Sequence, residues 1–569
     1  MKKIKLFFYS IVALGSIATL SSCNKDFLNV VPKAQLSNAQ VSTGTEQLVT
    51  AAYAELGNDH YITPWSLWPY GNVRSGDAYK GGRDESDIQE FYFFEIFKDV
   101  RSDIGEIDGQ WFQYYEAISR VNAALGNLNN VTEAQYPLKK SRQAEMRFLR
   151  GHWYFQLKIM YKYIPYIDET VPTNNYALIS NKALSHDSIW EKIATDFQFG
   201  VDNLPINQTQ IGRANKIAAT AYLAKTRLYQ AYEQDEMNNV TGINQTKLNQ
   251  VVTLADQVLA SSYQLQPDFA NNFLEGSFEN GIESIFSVQY SKDDGTMFGR
   301  LNFGDVLATP MGIGCCDFHK PSQNLANAFK TGADGLPMFS DFNNSDLDLT
   351  ANTVDPRIDH TIAIPGHNYV YDPTTIYQVS WNRTPAVYGV FASLKENVMK
   401  GHYTQVGPFY ANTKDKIILR FADVLLWKAE ALIELGRQNE ALPIINQIRS
   451  RAANSTALLK LANGQPESNY FVNTYQDGIN CNWTQDFARN ALRWERRLEF
   501  AMEGNRFFDL VRWGIADTYL NAYFQVEKTK RAYLKDGLFT KNRDEYCPIP
   551  LNQIRFSHGL YKQNYGYIQ

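Results

Sequence analysis

The chain has 569 residues, 44% hydrophobic and 20% charged, with a formal charge of −5 at neutral pH. That balance describes a globular protein with a substantial core. It gives no reason to expect the basic face that nucleic-acid binding requires, so no nucleic acid is expected as a partner. Five cysteines in this length make no disulfide framework, because a chain of this size builds its core without staples.

The first feature along the chain is a basic start, Lys2, Lys3 and Lys5, followed by an apolar run from Leu6 to Leu20 and the exit Ser21-Ser22-Cys23. A charged head, a short apolar centre and a small-residue exit predict that residues 1–22 are a secretory signal, later removed. The run is too short for a membrane span, which takes about 20 helical residues. Its removal takes away three lysines and no acid, so the formal charge moves to −8. The exit resembles the lipobox of bacterial lipoproteins. That implies cleavage before Cys23 and a lipid on it, giving a protein anchored to a membrane without spanning it. Residues 23–42, polar and loop-like, then form a tether.

Beyond the tether, helical periodicity dominates. Ala144, Phe148, Leu149, His152, Phe155 and Leu157 recur at roughly helical spacing, and residues 217–231 (IAATAYLAKTRLYQA) form an Ala-rich helix with a small-residue face. Ala422, Leu425, Leu426, Ala429, Leu432 and Ile433 mark a helix that Gly436 stops, and Ala441, Ile444, Ile445 and Ile448 mark its neighbour. Residues 420–452 therefore read as a helix hairpin about one tetratricopeptide unit long, and 217–265 as another. The expected fold is mainly α, a helix-pair scaffold over about 111–265 and 416–569 of a single domain spanning 43–569. Residues 58–110 and 266–415, rich in Gly, Pro, Asn, Asp and aromatics, are expected to form a loop-rich binding face with a few short strands, such as Ser284–Tyr290.

The loop-rich region holds the binding candidates. Aromatics make up 14% of the chain, and most are expected to pack helices together. In residues 61–82 (YITPWSLWPYGNVRSGDAYKGG), however, Trp65, Trp68 and Tyr70 are held by Pro64 and Pro69, and Asn72, Arg74 and Asp77 follow. Fixed aromatic faces can stack on the apolar face of a sugar at low ordering cost, and the polar residues can bond its hydroxyls. The alternative is that Trp65 and Trp68 are buried under the loop. Later loops offer Tyr290, Phe298, Phe303, Phe318 and His319, of which Phe318 and His319 join the candidate set.

Catalytic signatures are missing. The sequence has no G-x-x-x-x-G-K-[ST], H-E-x-x-H or G-x-S-x-G, and the protein is not expected to be an enzyme. A glycosidase needs two carboxylates across a cleft, and with 60 acids in the chain some pair is always available. No cofactor or metal is expected. No Cys/His spacing suits zinc, and Asp341–Asp348 lacks the glycine and terminal glutamate of an EF-hand loop. Pairing the adjacent Cys315 and Cys316 would close a strained ring, so they are expected, like Cys481 and Cys547, to be structural or free thiols.

Several ordered segments resemble the SusD/RagB family of surface lipoproteins. They are Ala144–Arg150 followed by Trp153-Tyr154-Phe155, Gly212-Arg213-Ala214, Pro321 with Leu325 and Ala328-Phe329, Asp334-Gly335 and Asp355-Pro356-Arg357. The helix from Leu419, Glu495–Phe500 with Glu503–Trp513, Pro548-Ile549-Pro550 and the closing Gln563–Tyr567 complete the set. The resemblance implies a SusD-like fold and a lipid-anchored position on the exterior of the outer membrane. It also implies an oligosaccharide ligand and a SusC-like TonB-dependent transporter as partner, over which the protein acts as a lid. A glycoside hydrolase using the same cleft, or the same lid with a peptide or other nutrient as cargo, are the alternatives. The Glu/Arg-rich segment Arg493–Arg512 is expected to lock the C-terminal helices into the scaffold rather than to bind anions.

Overall fold

The computed structural model describes residues 44–295 and 300–568. The signal over 1–22, Cys23, the tether 23–42 and Phe298 lie outside the described residues. By contacts the chain divides into Met1–Leu48, described only from residue 44, and Val49–Gln569. Helix α1, Thr45–Ala54, begins in the first unit and ends in the second.

After α2 (Gln89–Ile96), five helices follow, each packed against the next. They are α3 (Gly105–Asn130), α4 (Lys139–Tyr161), α5 (His186–Asn203), α6 (Lys216–Ala231) and α7 (Gln245–Leu259). Their starts are encoded locally. The side chains of Ser185, Asn215 and Asn244 accept from the N–H groups of Ser188, Ala218 and Lys247, satisfying donors that a first helical turn leaves open. The Ala-rich face of α6 does what its small residues allow. A Cβ at Gly200 of α5 would stand 2.9 Å from the Ala219 Cβ, so the two helices approach closely.

A second group comprises α8 (Phe421–Glu434), α9 (Gln438–Asn454), α10 (Gln485–Glu499), α11 (Arg506–Arg512) and α12 (Ala516–Lys530). The expected stop at Gly436 is there: its φ of +76° is open to glycine at no steric cost. Helix α8 also packs on α7, joining the two groups.

Between them, the described strands form only two-stranded antiparallel sheets. Those that position the site are β1 (Ala78–Gly81), β2 (Ser284–Val288), β3 (Phe318–Pro321), β4 (Thr404–Val406), β5 (Phe409–Ala411) and β6 (Lys416–Arg420). β1 pairs with β3, β2 with β6, and β4 with β5. The fold is therefore mainly α with a strand-poor, loop-rich portion, the architecture the periodicity predicted.

A buried ion network ties that portion to the helices. Glu499 receives Arg357 at 3.0 Å, Arg420 at 2.5 Å, and Arg451. Glu283 receives Arg420 and Arg451 at 2.9 and 3.0 Å, and Glu495 receives Arg357 and Arg449 at 2.6 and 3.2 Å. Burial alone would raise the Glu499 carboxyl. The guanidiniums of Arg451, Arg420 and Arg357 outweigh it and hold the group well below the usual carboxylate range. Because the folded value is depressed, this stabilisation is complete above the unfolded value of about 4.3 and fades as the pH falls towards the folded one. Glu499→Gln is expected to cost about 3–5 kcal/mol at neutral pH, since it leaves guanidiniums buried without their carboxylate. Denaturant unfolding should show that difference at pH 7 and a smaller one in acid.

Candidate functional site

The segment expected to carry the site is a strap through the core. Trp68 is 1% exposed, donates its Nε1–H to the Gly304 carbonyl at 3.3 Å, and stacks on His319 with ring centres 4.9 Å apart. Tyr70 is fully buried against Phe94. Asn72 lies 2.8 Å from His319 Nε2 and accepts from the Gly504 N–H at 2.9 Å. Arg74 covers the Phe507 ring at 4.1 Å and donates to the Asp544 carbonyl. Asp77 is paired with Arg497 at 2.7 Å. Phe318 lies under the Lys80 ammonium, and His319 Nδ1 meets Glu396 at 2.6 Å.

Trp68, Tyr70, Asn72, Arg74, Asp77, Phe318 and His319 are all buried, so none of the seven offers a face to a ligand. The physical reason is a close backbone approach: a Cβ at Gly71 would stand 1.8 Å from the Gly504 carbonyl oxygen. The prolines do fix the backbone, but in the interior, beneath the Glu503-Gly504-Asn505 turn.

Trp65 is the exception among the eight, being half-buried. It stacks on Tyr114 at a centroid distance of 5.1 Å, meets Trp153 at 5.0 Å with the rings tilted by 55°, and lines a cavity of about 70 Å³ with Asp59, His152 and Lys225. That volume suits a few ordered waters. Burial, then the nearby Asp305 charge, push the Asp59 carboxyl up to about 7, while Asp305 is held below its ordinary value. Two acids pushed apart in this way are the pattern of general acid–base chemistry. Here, however, their oxygens are taken. Asp59 accepts from the His60 and Trp65 N–H groups and the Tyr290 hydroxyl, and Asp305 from Ser66, Asn302 and Lys416.

The aromatic surface lies elsewhere in the loop-rich portion. Strands β4 and β5 form a hairpin around Gly407-Pro408, with Val406 opposite Phe409 and Thr404 opposite Ala411. Successive side chains of a strand point to opposite sides. Phe409 and Ala411 accordingly join Tyr61, Leu301, Phe303 and Val406 on one side, where Tyr61 lies 4.8 Å from Phe409 and stacks on His60 at 4.5 Å. Tyr410 points to the other, against the loop Thr309–Asp317. A Cβ at Gly314 would stand 1.9 Å from the Tyr410 ring, and one at Gly312 would stand 1.9 Å from the Trp381 ring. Glycine is needed at both places so that the rings can lie on the backbone.

Tyr61, Phe409, Tyr410 and Trp381 are all half-buried, and the exposed Lys400 holds its ammonium 5.4 Å from the Trp381 ring centre. In the same loop Cys315 and Cys316 are joined as a disulfide, which corrects the expectation that they are unlinked; Cys481 and Cys547 are free. Of the other aromatics named from sequence, Tyr290 is buried and Phe303 half-buried. Tyr61, Phe303, Trp381, Phe409 and Tyr410 fall inside the segments expected to be loop-rich, but isolated aromatics in loops carry no periodicity that would single them out.

A helix-pair frame bearing loops with half-exposed aromatics defines a binding scaffold of a recurrent kind. A sequence profile described as the SusD family matches residues 282–567, and one described as starch-binding, associating with outer membrane, matches residues 26–228. The chain belongs to the SusD family. It is similar to SusD-like protein P2 of Formosa agariphila, 23% identical over 100% of both chains. A SusD-like protein of Bacteroides ovatus is 24% identical, over 91% of this chain and 84% of that one. Among solved structures it is similar to a laminarin-binding SusD-like protein (TM-score 0.66, 20% identity, 92% of this chain and 99% of that one). It is also similar to surface glycan-binding protein A from Bacteroides thetaiotaomicron in complex with laminarihexaose (TM-score 0.64, 19% identity, 91% and 98%). At these identities the solved structures show the fold.

Two stability measurements separate strap from rim. Trp68→Ala should cost about 3–5 kcal/mol on unfolding, the price of emptying a buried tryptophan site, whereas Tyr410→Ala should cost roughly 1 kcal/mol. For Asp59, a raised folded value means its contribution is present below the unfolded value of about 3.9 and is lost as the pH rises to about 7. Unfolding free energies measured from pH 4 to 7 should therefore fall more steeply for the wild type than for Asp59→Asn.

Proposed function

We propose that the protein is a non-catalytic glycan-binding lipoprotein of the outer surface, tethered through a lipid on Cys23. The observation that carries this reading is the pair of half-exposed rings Tyr410 and Trp381, set on the loop Thr309–Asp317 of a SusD-family fold. Half-exposed aromatic rings match the apolar faces of pyranoses, and Lys400 supplies a hydrogen-bond donor beside Trp381. Support comes from the match of residues 26–228 to a family described as starch-binding and associating with the outer membrane, and from similar proteins that bind laminarin and laminarihexaose. In this reading the mature chain serves as a lid on a SusC-like TonB-dependent transporter. Holding an oligosaccharide over the transporter mouth raises its effective concentration there and needs no bond chemistry.

The test is calorimetric titration of the mature protein with a panel of oligosaccharides, laminarihexaose included, and of peptides. At least one glycan should bind and be recovered unchanged, and Trp381→Ala or Tyr410→Ala should weaken it about tenfold, equivalent to roughly 1.4 kcal/mol. Release of reducing sugar would replace the lid by a hydrolase, and binding confined to peptides would change the cargo. Separately, Cys23→Ser should abolish incorporation of labelled fatty acid in cells and release the protein from the membrane fraction.

A further inference from the structure

The Cys315–Cys316 disulfide joins residues one apart in sequence. A disulfide stabilises a fold in proportion to the logarithm of the chain length it closes, so a link between neighbours closes the shortest loop and cross-links nothing distant. Its effect is local. It replaces two thiols, each a weak donor, by an S–S bond that carries no hydrogen and presents soft, polarisable sulfur.

The surrounding loop is built to hold that ring still. The Asp317 N–H donates to the Thr309 carbonyl at 2.9 Å, closing the loop, and the Ile313 and Gly314 N–H groups both donate to the Pro310 carbonyl. The Met311 N–H donates to the Trp381 carbonyl at 2.9 Å, and the Thr309 hydroxyl to the Tyr410 carbonyl at 3.2 Å. Gly312 and Gly314 let the Trp381 and Tyr410 rings lie flat on the backbone. Below, Asp317 is fixed by the buried Lys320 at 2.7 Å and by the Arg383 N–H at 2.7 Å. Above, Cys315 and Ile313 are half-buried and Met311 is 39% exposed, while Cys316 is turned inward and buried. A loop fastened at both ends, and stiffened by a link that adds little to global stability, presents a preorganised apolar surface beside an aromatic ring.

Resting on the glycan-binding reading above, we infer that the half-exposed Cys315 side of the disulfide ring and Tyr410, whose ring lies on the adjacent Gly314, together form a stacking subsite. Its ligand is the C–H face of one pyranose unit of a neutral oligosaccharide. Preorganisation lowers the ordering cost of binding, and the sulfurs supply dispersion contact without a competing hydrogen-bond donor.

The test uses the mature protein, produced by export, with the same oligosaccharide panel. Thiol titration after unfolding should find only Cys481 and Cys547; four reactive thiols would overturn the inference. The Cys315→Ala/Cys316→Ala double variant should bind the preferred oligosaccharide at least tenfold more weakly while its melting temperature and circular dichroism stay at wild-type values. Should that variant not fold, the wild type treated with dithiothreitol gives the same readout. The reagent is oxidised to its cyclic disulfide, and the S–S bond takes up two electrons and two protons to become two thiols. Binding should weaken on reduction and return on reoxidation. Tyr410→Phe should bind like wild type and Tyr410→Ala should not. If the wild type binds a glycan and the folded double variant or reduced protein binds it equally well, the subsite is wrong and the glycan reading stands. If the wild type binds nothing in the panel, the glycan reading itself fails and the subsite fails with it.

Discussion

The interaction on which the rest of the structure depends is the meeting of Glu499 with Arg357, Arg420 and Arg451. Each partner belongs to a different piece of chain: Glu499 ends α10, Arg451 lies on α9, Arg420 precedes α8, and Arg357 opens the short helix Arg357–Thr361 of the loop-rich portion. Charges this deeply buried are tolerated only when their lone pairs and N–H groups are matched, so the network fixes the relative placement of four segments as much as it stabilises them. Glu503 continues it by receiving Arg420 at 3.0 Å and Lys395 at 2.7 Å. From Glu503 it is one residue to Gly504, whose carbonyl fits against Gly71.

That chain of contacts explains why the conspicuous aromatics near the start of the fold are not the surface. The strap over residues 61–82 is held by Arg497 through Asp77 and by Gly504 through Asn72. Its role is to carry β1, which pairs with β3, which in turn begins where the loop Thr309–Asp317 ends. The aromatic rim is thus three steps removed from the ion network: network to strap, strap to sheet, sheet to loop. Sequence motifs that mark the family concentrate in the first steps, and the residues proposed to meet ligand sit on the last.

The helices were legible because each residue's burial follows from its neighbours one turn away. The Ala-rich face of α6, the apolar stripe of α8 and the stop at Gly436 need nothing distant to be read. The locking role expected for Arg493–Arg512 was legible too, because alternating charges among apolar residues have few other uses inside a scaffold. The site was not. Pro64 and Pro69 announce a fixed backbone around Trp65 and Trp68 but not which side of it faces water, a choice made by Gly504 and Arg497 far along the chain. Adjacent cysteines argued against a link on ring geometry alone, and the loop that accommodates the link is defined by Trp381 and Tyr410, which stand 65 or more residues away from Cys316.

Asp77 and Arg497 are 420 residues apart, and Asn72 and Gly504 are 432 apart. A ribosome therefore delivers the strap long before it delivers what the strap is buried against. The early helix pairs, whose contacts are local, can form as they emerge. Asn72, Arg74 and Asp77 must wait for Gly504, Asp544 and Arg497. For a protein of the proposed exported kind, the strap therefore cannot be fully held on the side of the membrane where it is made until synthesis has passed Arg497, Gly504 and finally Asp544.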